Sequence, residues 1–229
     1  MPVAAIVASG GTGRRLGSRR RKPFVPIGRR PIIAWTLKAM ENSPAVDEVI
    51  LVIHRGDVSA ARRLIRKEGF KKVSRVVAGG ATRMSSVFRG LGALSPRVKW
   101  VLVHDGARPL ASPDLFERTL KAARRSGAAI AAVPVVPTVK EARGGWVKRT
   151  LDRKLLWAVQ TPQAFRRDLL LRAHRAGIRR NLKATDDAAL IEAIGGRVRI
   201  VKGSFRNIKV TTPEDLVVAE ALLEKGVSG

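Results

Sequence analysis

A glycine-rich loop followed by a cluster of cations is the part of this sequence best suited to chemistry. The apolar run 3–8 leads into the segment 9–13 (Ser-Gly-Gly-Thr-Gly), and Arg15 and Lys22 follow it. No acidic residue occurs before Glu41. Glycines allow backbone N–H groups to come close to an anion, and cations neutralise its charge. The pattern predicts a loop that binds a polyphosphate.

The spacing within this loop excludes two common phosphate motifs. A dinucleotide fingerprint needs a third glycine where this chain has Leu16, and an acid about 20 residues further on. A Walker-type loop needs Ser or Thr after its lysine, whereas Pro23 follows Lys22 here. The loop is therefore interpreted as an open site for a nucleoside triphosphate, with a flexible turn carrying incidental cations as the alternative.

A second candidate cluster follows the apolar run 100–104. Asp105 stands at the expected carboxyl end of that strand, and Gly106 and Arg108 come directly after it. An aspartate in this position contacts a ribose or a phosphate-bound metal, or it merely caps the turn. Its place beside the glycine-rich loop favours a ligand contact.

Two further groups of residues are expected near the same edge of the sheet. Gly80, Arg83 and Ser86 follow a third strand, although an ordinary strand-to-helix turn would read the same way. Lys209 precedes the last helix, and the apolar residues Ile208 and Val210 on either side would fix the direction of its side chain. The histidines show no metal-ligand spacing, and no Ser/His/Asp or Cys/His arrangement is present.

Short apolar runs alternate with amphipathic stretches along the chain. Strands are predicted at 3–8, 48–53, 72–78, 100–104, 128–135 and 197–201, and helices at 31–40, 57–68, 82–94, 113–125, 167–176, 186–194 and 213–223. Ser112-Pro113 and Thr212-Pro213 carry helix start signals. This alternation predicts an α/β fold with a mostly parallel sheet covered on both faces, whose ligands bind at the carboxyl ends of the strands.

One segment interrupts the alternation. Residues 134–159 contain two prolines, a central Gly144-Gly145 pair and short β-like pieces on both sides. This composition predicts a hairpin that projects from the sheet as an arm and could pack against another subunit. No linker or repeat is visible, so residues 1–229 are expected to form one domain that includes the arm.

The composition limits the class of protein. The formal net charge of +27 over 229 residues invites a nucleic-acid reading, but the cations are spread along the chain and aromatic residues make up only 4%. We therefore expect no specific nucleic acid partner. No apolar run approaches the about 20 residues that span a bilayer, and no signal peptide is apparent, so we expect no membrane association and a cytoplasmic protein.

The ordered set of motifs resembles the 2-C-methyl-D-erythritol 4-phosphate cytidylyltransferase family of the non-mevalonate isoprenoid pathway. The motifs are the glycine-rich loop with its two cations, the block 104–109 (His-Asp-Gly-Ala-Arg-Pro), and the segments 151–153, 161–163, 185–186 and 207–210. They run in order over residues 3–224. The resemblance implies a Rossmann-like three-layer nucleotidyltransferase sheet, with Mg²⁺ held mainly by the CTP phosphates, and a homodimer formed through the arm.

The resemblance also implies roles for individual residues. The expected catalytic residues are Arg15, Lys22, Arg153 and Lys209. The expected CTP-binding residues are Ser9, Gly10, Gly11, Gly80, Ser86, Asp105 and Gly106. The expected contacts to the acceptor, a sugar-alcohol phosphate, are Arg108, Thr138, Arg153, Thr161, Thr185 and Lys209. Thr138 and Arg153 would act in the partner's site, and no residue is expected to be a dedicated metal ligand.

Three alternatives remain open from the sequence. A ribitol 5-phosphate cytidylyltransferase shares the loop and a similar His-Asp-x-x-Arg-Pro block, and only the acceptor pocket separates the two. A guanylyltransferase or another sugar-phosphate nucleotidylyltransferase shares the loop, but the setting of Lys209 argues against it. A basic nucleic-acid-binding module is the alternative from a different class.

Overall fold

Eleven strands and seven α-helices make up the part of the chain that the computed structural model describes, residues 1–11, 16–17 and 20–226. The strands are β1 (Val3–Ser9), β2 (Pro26–Ile27), β3 (Arg30–Pro31), β4 (Glu48–Ile53), β5 (Val73–Ala78), β6 (Trp100–Asp105), β7 (Ala128–Pro134), β8 (Val139–Arg143), β9 (Trp146–Leu151), β10 (Trp157–Arg166) and β11 (Arg199–Lys202). The helices are α1 (Ile32–Glu41), α2 (Val58–Glu68), α3 (Arg83–Gly92), α4 (Pro113–Ser126), α5 (Arg167–Arg179), α6 (Asp187–Glu192) and α7 (Pro213–Gly226).

The central sheet contains seven strands in the order β11-β7-β10-β6-β1-β4-β5. Strands β6, β1, β4 and β5 are parallel to one another, as is β11 to β7, whereas β10 runs antiparallel to both β6 and β7. The predicted, mostly parallel sheet is confirmed. The loops that follow the parallel strands β1, β5 and β6 lie at one edge of the sheet, because these strands end there.

Helices cover both faces of this sheet. Alternate residues of β1 point to opposite sides: Val3, Ala5 and Val7 pack with residues of α1, α2 and α4. Ala4 and Ile6 pack on the other side with residues of α3, α5 and α6. Because both faces of β1 are buried, residues 3–8 form a continuous apolar run instead of alternating between apolar and polar. The three-layer α/β fold is confirmed.

Strand β10 is the main element that the sequence does not predict. It lies in the middle of the sheet, and its interior carries the polar residues Gln160, Thr161 and Gln163 together with Pro162. Proline removes a ladder hydrogen bond and normally argues against a central strand. Here the pairing with β7 shifts register between Val159 and Gln163, so the proline lies where the ladder is already interrupted.

The predicted helix starts are formed by side-chain caps. The Ser112 hydroxyl accepts a hydrogen bond from the Leu115 N–H at 3.4 Å. At α7, the Thr212 N–H donates to Asp215 Oδ2 at 2.9 Å, while the Asp215 N–H donates to Thr212 Oγ1 at 3.4 Å. This reciprocal pair satisfies two backbone donors at the helix start.

Segment 134–159 contains a two-stranded antiparallel hairpin, β8 and β9, that is separate from the central sheet. Gly144 and Gly145 form its turn with φ of 57° and 83°. Two successive residues with positive φ are the requirement of a tight hairpin turn, which explains the glycine pair. Among the described residues, no helix has both the length and the apolar character needed to cross a membrane.

Candidate active site

A cavity of about 310 Å³ opens at the carboxyl ends of β1, β5 and β6. The predicted CTP-binding residues all line it: Ser9, Gly10, Gly11, Gly80, Ser86, Asp105 and Gly106. Lys22 and Lys209 line it as well. The sequence therefore selected residues that the fold brings to one place, because parallel strands deliver their carboxyl ends to the same edge of the sheet.

Lys22 reaches this cavity from a short 3₁₀ turn, Lys22–Phe24. The apolar residues after it anchor the turn: Phe24 packs against the core beneath the sheet, and Val25 is buried in a smaller apolar cluster with Ile27 and Val210. Arg15, the other predicted cation of the loop, lies outside the described residues together with Thr12, Gly13 and Arg14.

Gly106 allows the second strand end to approach the glycine-rich loop. A Cβ atom at this position would lie 2.6 Å from Ser9 Oγ and 3.0 Å from Ile33 Cδ1. The Gly106 N–H donates to the Ala8 carbonyl at 2.9 Å, and its carbonyl accepts from the Thr36 hydroxyl at 3.2 Å. The close approach of β6 to β1 therefore requires glycine.

The hydroxyl of Ser86 holds the loop after β5 against α3. It accepts a hydrogen bond from the Gly80 N–H at 3.1 Å and donates to the Thr82 carbonyl at 2.8 Å. Thr82 caps the helix through the Ser85 N–H. Ser86 thus shapes this wall of the cavity through the backbone of the loop.

Asp105 is the anionic centre of the site. Its Oδ2 lies 2.7 Å from Lys209 Nζ and 3.8 Å from Arg108 Nε, and its Oδ1 lies 3.3 Å from Arg83 Nε. Burial by itself raises the pKa of this carboxyl, but the charges of Arg83, Lys209 and Arg108 outweigh it and hold the pKa well below its usual range. Asp105 is therefore ionised and acts as a fixed counter-ion for three cations.

The alternation around Lys209 directs its side chain as the sequence predicts. Val210 is buried and Ile208 partly buried in the same small apolar cluster, so Lys209 points the opposite way, toward the cavity. The Val210 N–H donates to the Ala107 carbonyl at 2.8 Å, which fixes this segment beside Asp105. The Lys209 side chain keeps 42% of its exposure, so it is accessible to a ligand.

A second cavity of about 370 Å³ adjoins the first. The predicted acceptor residues Arg108, Thr161, Thr185 and Lys209 line it. Three side chains line both cavities: Arg83, Asp105 and Lys209. Two ligands occupying the two cavities would therefore meet at this shared wall.

Thr161 lies in the second cavity, but its hydroxyl is already engaged within the protein. It accepts from the Asp105 N–H at 3.0 Å and lies 3.0 Å from His104 Nδ1. His104 Nε2 lies 3.3 Å from the Arg108 carbonyl, which can only accept, so Nε2 carries the ring hydrogen and Nδ1 accepts from the Thr161 hydroxyl. Burial lowers the pKa of His104 to about 4, consistent with this neutral form.

Arg108 is buried, and its guanidinium is held from behind by backbone carbonyls. Nη1 donates to the Asn207 carbonyl at 2.7 Å and Nη2 to the Val159 carbonyl at 3.4 Å. Burial is the largest influence on its pKa, which is lowered. These contacts connect the segment that carries Lys209 to β10 and fix the positive wall of the second cavity.

Arg83 is the residue that the sequence indicated only weakly. It begins α3 and bridges two aspartates: Nε lies 3.3 Å from Asp105 and Nη1 2.6 Å from Asp187, the first residue of α6. Burial lowers its pKa, but the two carboxylates outweigh this and raise the pKa above its usual value. The sequence signal for Arg83 was its position soon after Gly79-Gly80. No such signal existed for Asp187, because its partner Arg83 is 104 residues away.

Thr138 and Arg153 line neither cavity. Thr138 is exposed directly before β8, and exposed Arg153 follows β9, where its Nη1 donates to the Val136 carbonyl. The structure of one chain therefore does not bring these two predicted residues to its own site.

The sheet, the cation-lined cavity beyond its carboxyl edge and the adjoining second cavity define a nucleotidyltransferase of the Rossmann-like α/β type. Residues 3–225 match the family model described as IspD, 2-C-methyl-D-erythritol 4-phosphate cytidylyltransferase. The chain belongs to this family.

Relatives and solved structures agree with the family model. The enzyme of this name from Pelotomaculum thermopropionicum is 48% identical over 97% of this chain and 94% of its own length, and that from Syntrophotalea carbinolica is 45% identical over 98% and 97%. The crystal structure of the Thermus thermophilus enzyme has a TM-score of 0.82 at 38% identity, covering 98% of this chain and all of its own. The 4-diphosphocytidyl-2C-methyl-D-erythritol synthase of Anaerococcus prevotii has a TM-score of 0.87 at 34% identity, covering 97% and 96%.

Proposed function

We propose that this protein transfers a cytidylyl group from CTP to 2-C-methyl-D-erythritol 4-phosphate, yielding 4-diphosphocytidyl-2-C-methyl-D-erythritol and pyrophosphate. The observation that carries the proposal is the shared wall of the two cavities, where Arg83, Asp105 and Lys209 face both. The family membership supplies the identity of the two substrates. CTP occupies the first cavity and the methylerythritol phosphate the second.

The reaction needs neither a nucleophilic side chain nor a general base. A phosphate monoester has a second pKa near 6, so its oxygen is already ionised at neutral pH. That oxygen attacks the α-phosphorus of CTP, and the bond from this phosphorus to the bridging oxygen breaks as pyrophosphate leaves. The barrier comes from the approach of two anions and from charge growing on the leaving group, which preorganised cations reduce.

Each cation has a distinct place in this mechanism. Lys209, on the shared wall, binds the α-phosphate and the incoming phosphate together, while Asp105 holds its ammonium in position. Lys22 and Arg15 stabilise the charge that develops on the triphosphate. Arg108 binds the acceptor in the second cavity. Ser9, Gly10, Gly11, Gly80 and Gly106 bind cytosine and ribose through their backbone groups.

The donor set fits a magnesium ion carried by the substrate. Asp105 is the sole carboxylate among the described residues that line the first cavity, and no cluster of three potential metal ligands occurs in the described part of the chain. Mg²⁺ typically uses one or two carboxylates together with substrate phosphates and water. Because Asp105 is already paired with three cations, the ion would be held mainly by the CTP phosphates, whose charge it would neutralise.

We also propose that the arm makes the protein a homodimer. Large apolar side chains are exposed on segment 136–159, among them Trp146 at 82% and Leu155 at 79%. Val136, Val147, Trp157 and Val159 are exposed beside them. Thr138 and Arg153 lie on the same segment and outside the cavities of their own chain. Pairing two arms would cover the apolar residues and carry Thr138 and Arg153 to the partner's acceptor cavity. Because the reaction consumes CTP, we place the protein in the cytoplasm.

The decisive experiment measures pyrophosphate release with CTP, UTP, ATP and GTP, each with methylerythritol phosphate and with ribitol 5-phosphate. We expect rapid release with CTP and methylerythritol phosphate alone. Faster turnover of ribitol 5-phosphate would move the acceptor to the alternative family, and release with GTP only would reject the cytidylyl assignment. The catalytic variant Lys209→Ala serves as the background.

A further inference from the structure

A buried chain of polar side chains reaches from the interior of the protein to the shared wall of the two cavities. His174 on α5 and Asp187 at the start of α6 are both buried, with side-chain exposures of 0% and 1%. His174 Nε2 lies 2.9 Å from Asp187 Oδ1, and Arg83 Nη1 lies 2.6 Å from Asp187 Oδ2. Both carboxylate oxygens of Asp187 are therefore occupied, one from each side.

The contacts of His174 fix which ring nitrogen faces Asp187. Its ring stacks on Phe88, with centroids 6.0 Å apart and an angle of 21° between the planes. Nδ1 is buried and has no hydrogen-bond partner among the described residues. The tautomer with hydrogen on Nε2 satisfies the aspartate and leaves no N–H unpaired, so His174 acts as a rigid donor behind the carboxylate.

Arg83 converts this buried pair into a constraint on the site. Its planar guanidinium spans two carboxylates, Asp187 behind the wall and Asp105 on it. Asp105 in turn binds Lys209 at 2.7 Å. If Asp187 did not hold Nη1, the Arg83 guanidinium would be free to bind Asp105 through two N–H groups. It would then compete with Lys209 for the same carboxylate.

We infer that Asp187 and His174 are positioning residues for the transfer reaction, acting through Arg83 to keep Asp105 oriented and Lys209 at the shared wall. The inference rests on the proposed function for its kinetic consequence, but the geometry it requires is independent of turnover. Neither Asp187 nor His174 belongs to the set expected from the motifs, and these two residues line neither cavity.

The test combines Arg83→Lys and Asp187→Asn in a double-mutant cycle. A lysine keeps the charge but cannot span both carboxylates, and asparagine keeps the shape but not the charge. Each single variant is expected to lower kcat about tenfold with the KM for CTP changed less than about twofold, because misplacement of a catalytic group affects the transition state. The kcat of the double variant should be no lower than that of the single variants, since both changes break the same chain of contacts. Effects that multiply, or an unchanged kcat, would overturn the inference.

A conservative replacement separates positioning from mere packing. Glutamine can place an amide N–H where His174 Nε2 lies, whereas leucine cannot. We expect His174→Gln to retain most of the wild-type kcat and His174→Leu to match Asp187→Asn. Equal kinetics for the two His174 variants would show that His174 is not a positioning residue. Asp114→Asn is the matched control, because it breaks the exposed 2.7 Å pair with Arg118 far from the cavities.

A crystal structure of Asp187→Asn supplies a readout that does not depend on activity. We expect Arg83 to turn toward Asp105 and Lys209 to leave hydrogen-bonding distance of that carboxylate. An unchanged pair of Lys209 and Asp105 in this variant would refute the inference whatever the kinetics. If the wild-type protein failed to turn over CTP with methylerythritol phosphate, the proposed function would be wrong, and this structural comparison would still decide the role of Asp187.

Discussion

Lys209 Nζ lies 2.7 Å from Asp105 Oδ2, joining the segment before the last helix to the end of a central strand. The pair lies on the wall that both cavities share. Asp105 also faces Arg83 and Arg108, so its single charge is shared among three cations. Lys209 therefore retains positive charge to offer to phosphates, while its position is fixed.

The first prediction concerns that lysine. If Lys209 contacts both phosphates as proposed, Lys209→Ala should lower kcat/KM for pyrophosphate release about a hundredfold or more. Lys121→Ala, which removes an exposed lysine of α4 that lines neither cavity, should leave it unchanged. Equal activity of the two variants would exclude Lys209 from the reaction.

The second prediction concerns the two cations of the glycine-rich loop. Arg15→Ala and Lys22→Ala should each lower kcat about a hundredfold, because in the proposed mechanism each removes one cation that stabilises the transition state. The melting temperature should change little in either variant. Arg29→Ala, in the exposed turn between β2 and β3, is the control for loss of one nearby positive charge. Full activity in either loop variant would show that the loop has been assigned wrongly.

The third prediction tests the arm. Arg153→Ala should weaken binding of the acceptor more than that of CTP. Equal effects on the two ligands would count against the proposal that the arm supplies Arg153 to an acceptor site. If Arg153 acts in the partner's site, mixing Arg153→Ala with Lys209→Ala chains should restore activity, because one site of each mixed dimer contains both residues intact. A random mixture should recover about a quarter of the wild-type rate. Mixtures no more active than the separate variants would place Arg153 elsewhere.

The fourth prediction concerns Gly106. A Cβ atom there would lie 2.8 Å from Ser9 Cβ and within 3.0 Å of Ile33 Cδ1, both close to the core. Gly106→Ala should therefore cost about 1–3 kcal/mol in the free energy of unfolding and weaken CTP binding, since β6 must move away from β1. Gly92→Ala is the matched control, because no atom of the described part of the chain lies within 4 Å of its added Cβ atom. Urea denaturation and calorimetric titration of CTP would measure the two effects.

The fifth prediction is a pH dependence that arises from His104. Burial lowers the pKa of His104 to about 4 from an ordinary 6.5. Well above pH 6.5 His104 is unprotonated in both the folded and the unfolded state, and it costs no stability. As the pH falls toward 4, the unfolded chain binds the proton that the folded protein excludes, so the free energy of unfolding decreases. Between pH 7 and pH 5 the loss should be about 2 kcal/mol.

The comparison with His104→Gln isolates this contribution, since glutamine does not titrate and every other group is unchanged. The wild-type protein should lose more stability than the variant over the same pH interval in urea titrations. Parallel pH profiles for the two proteins would show that His104 does not carry the effect.

The local pattern of the sequence predicted most of the elements and much of the site. Strand 48–53 has the predicted bounds, and α4 starts at the predicted Pro113, because apolar runs and capping residues act over a few neighbouring positions. The same local logic brought Asp105, Gly106 and Lys209 to one edge. It did not find β10, whose Pro162 and polar residues resemble a loop until the neighbouring strands β6 and β7 and the interrupted register are known.

The sequence by itself determined the α/β alternation and the family, since these depend on residue types in a fixed order. Only the tertiary structure decided which side chains share a charge. Arg83 pairs with Asp187, 104 residues away along the chain. The Thr161 hydroxyl forms hydrogen bonds with the Asp105 N–H and with His104 Nδ1. Such contacts depend on how distant helices and strands pack, and the spacing of residues along the chain contains no record of that packing.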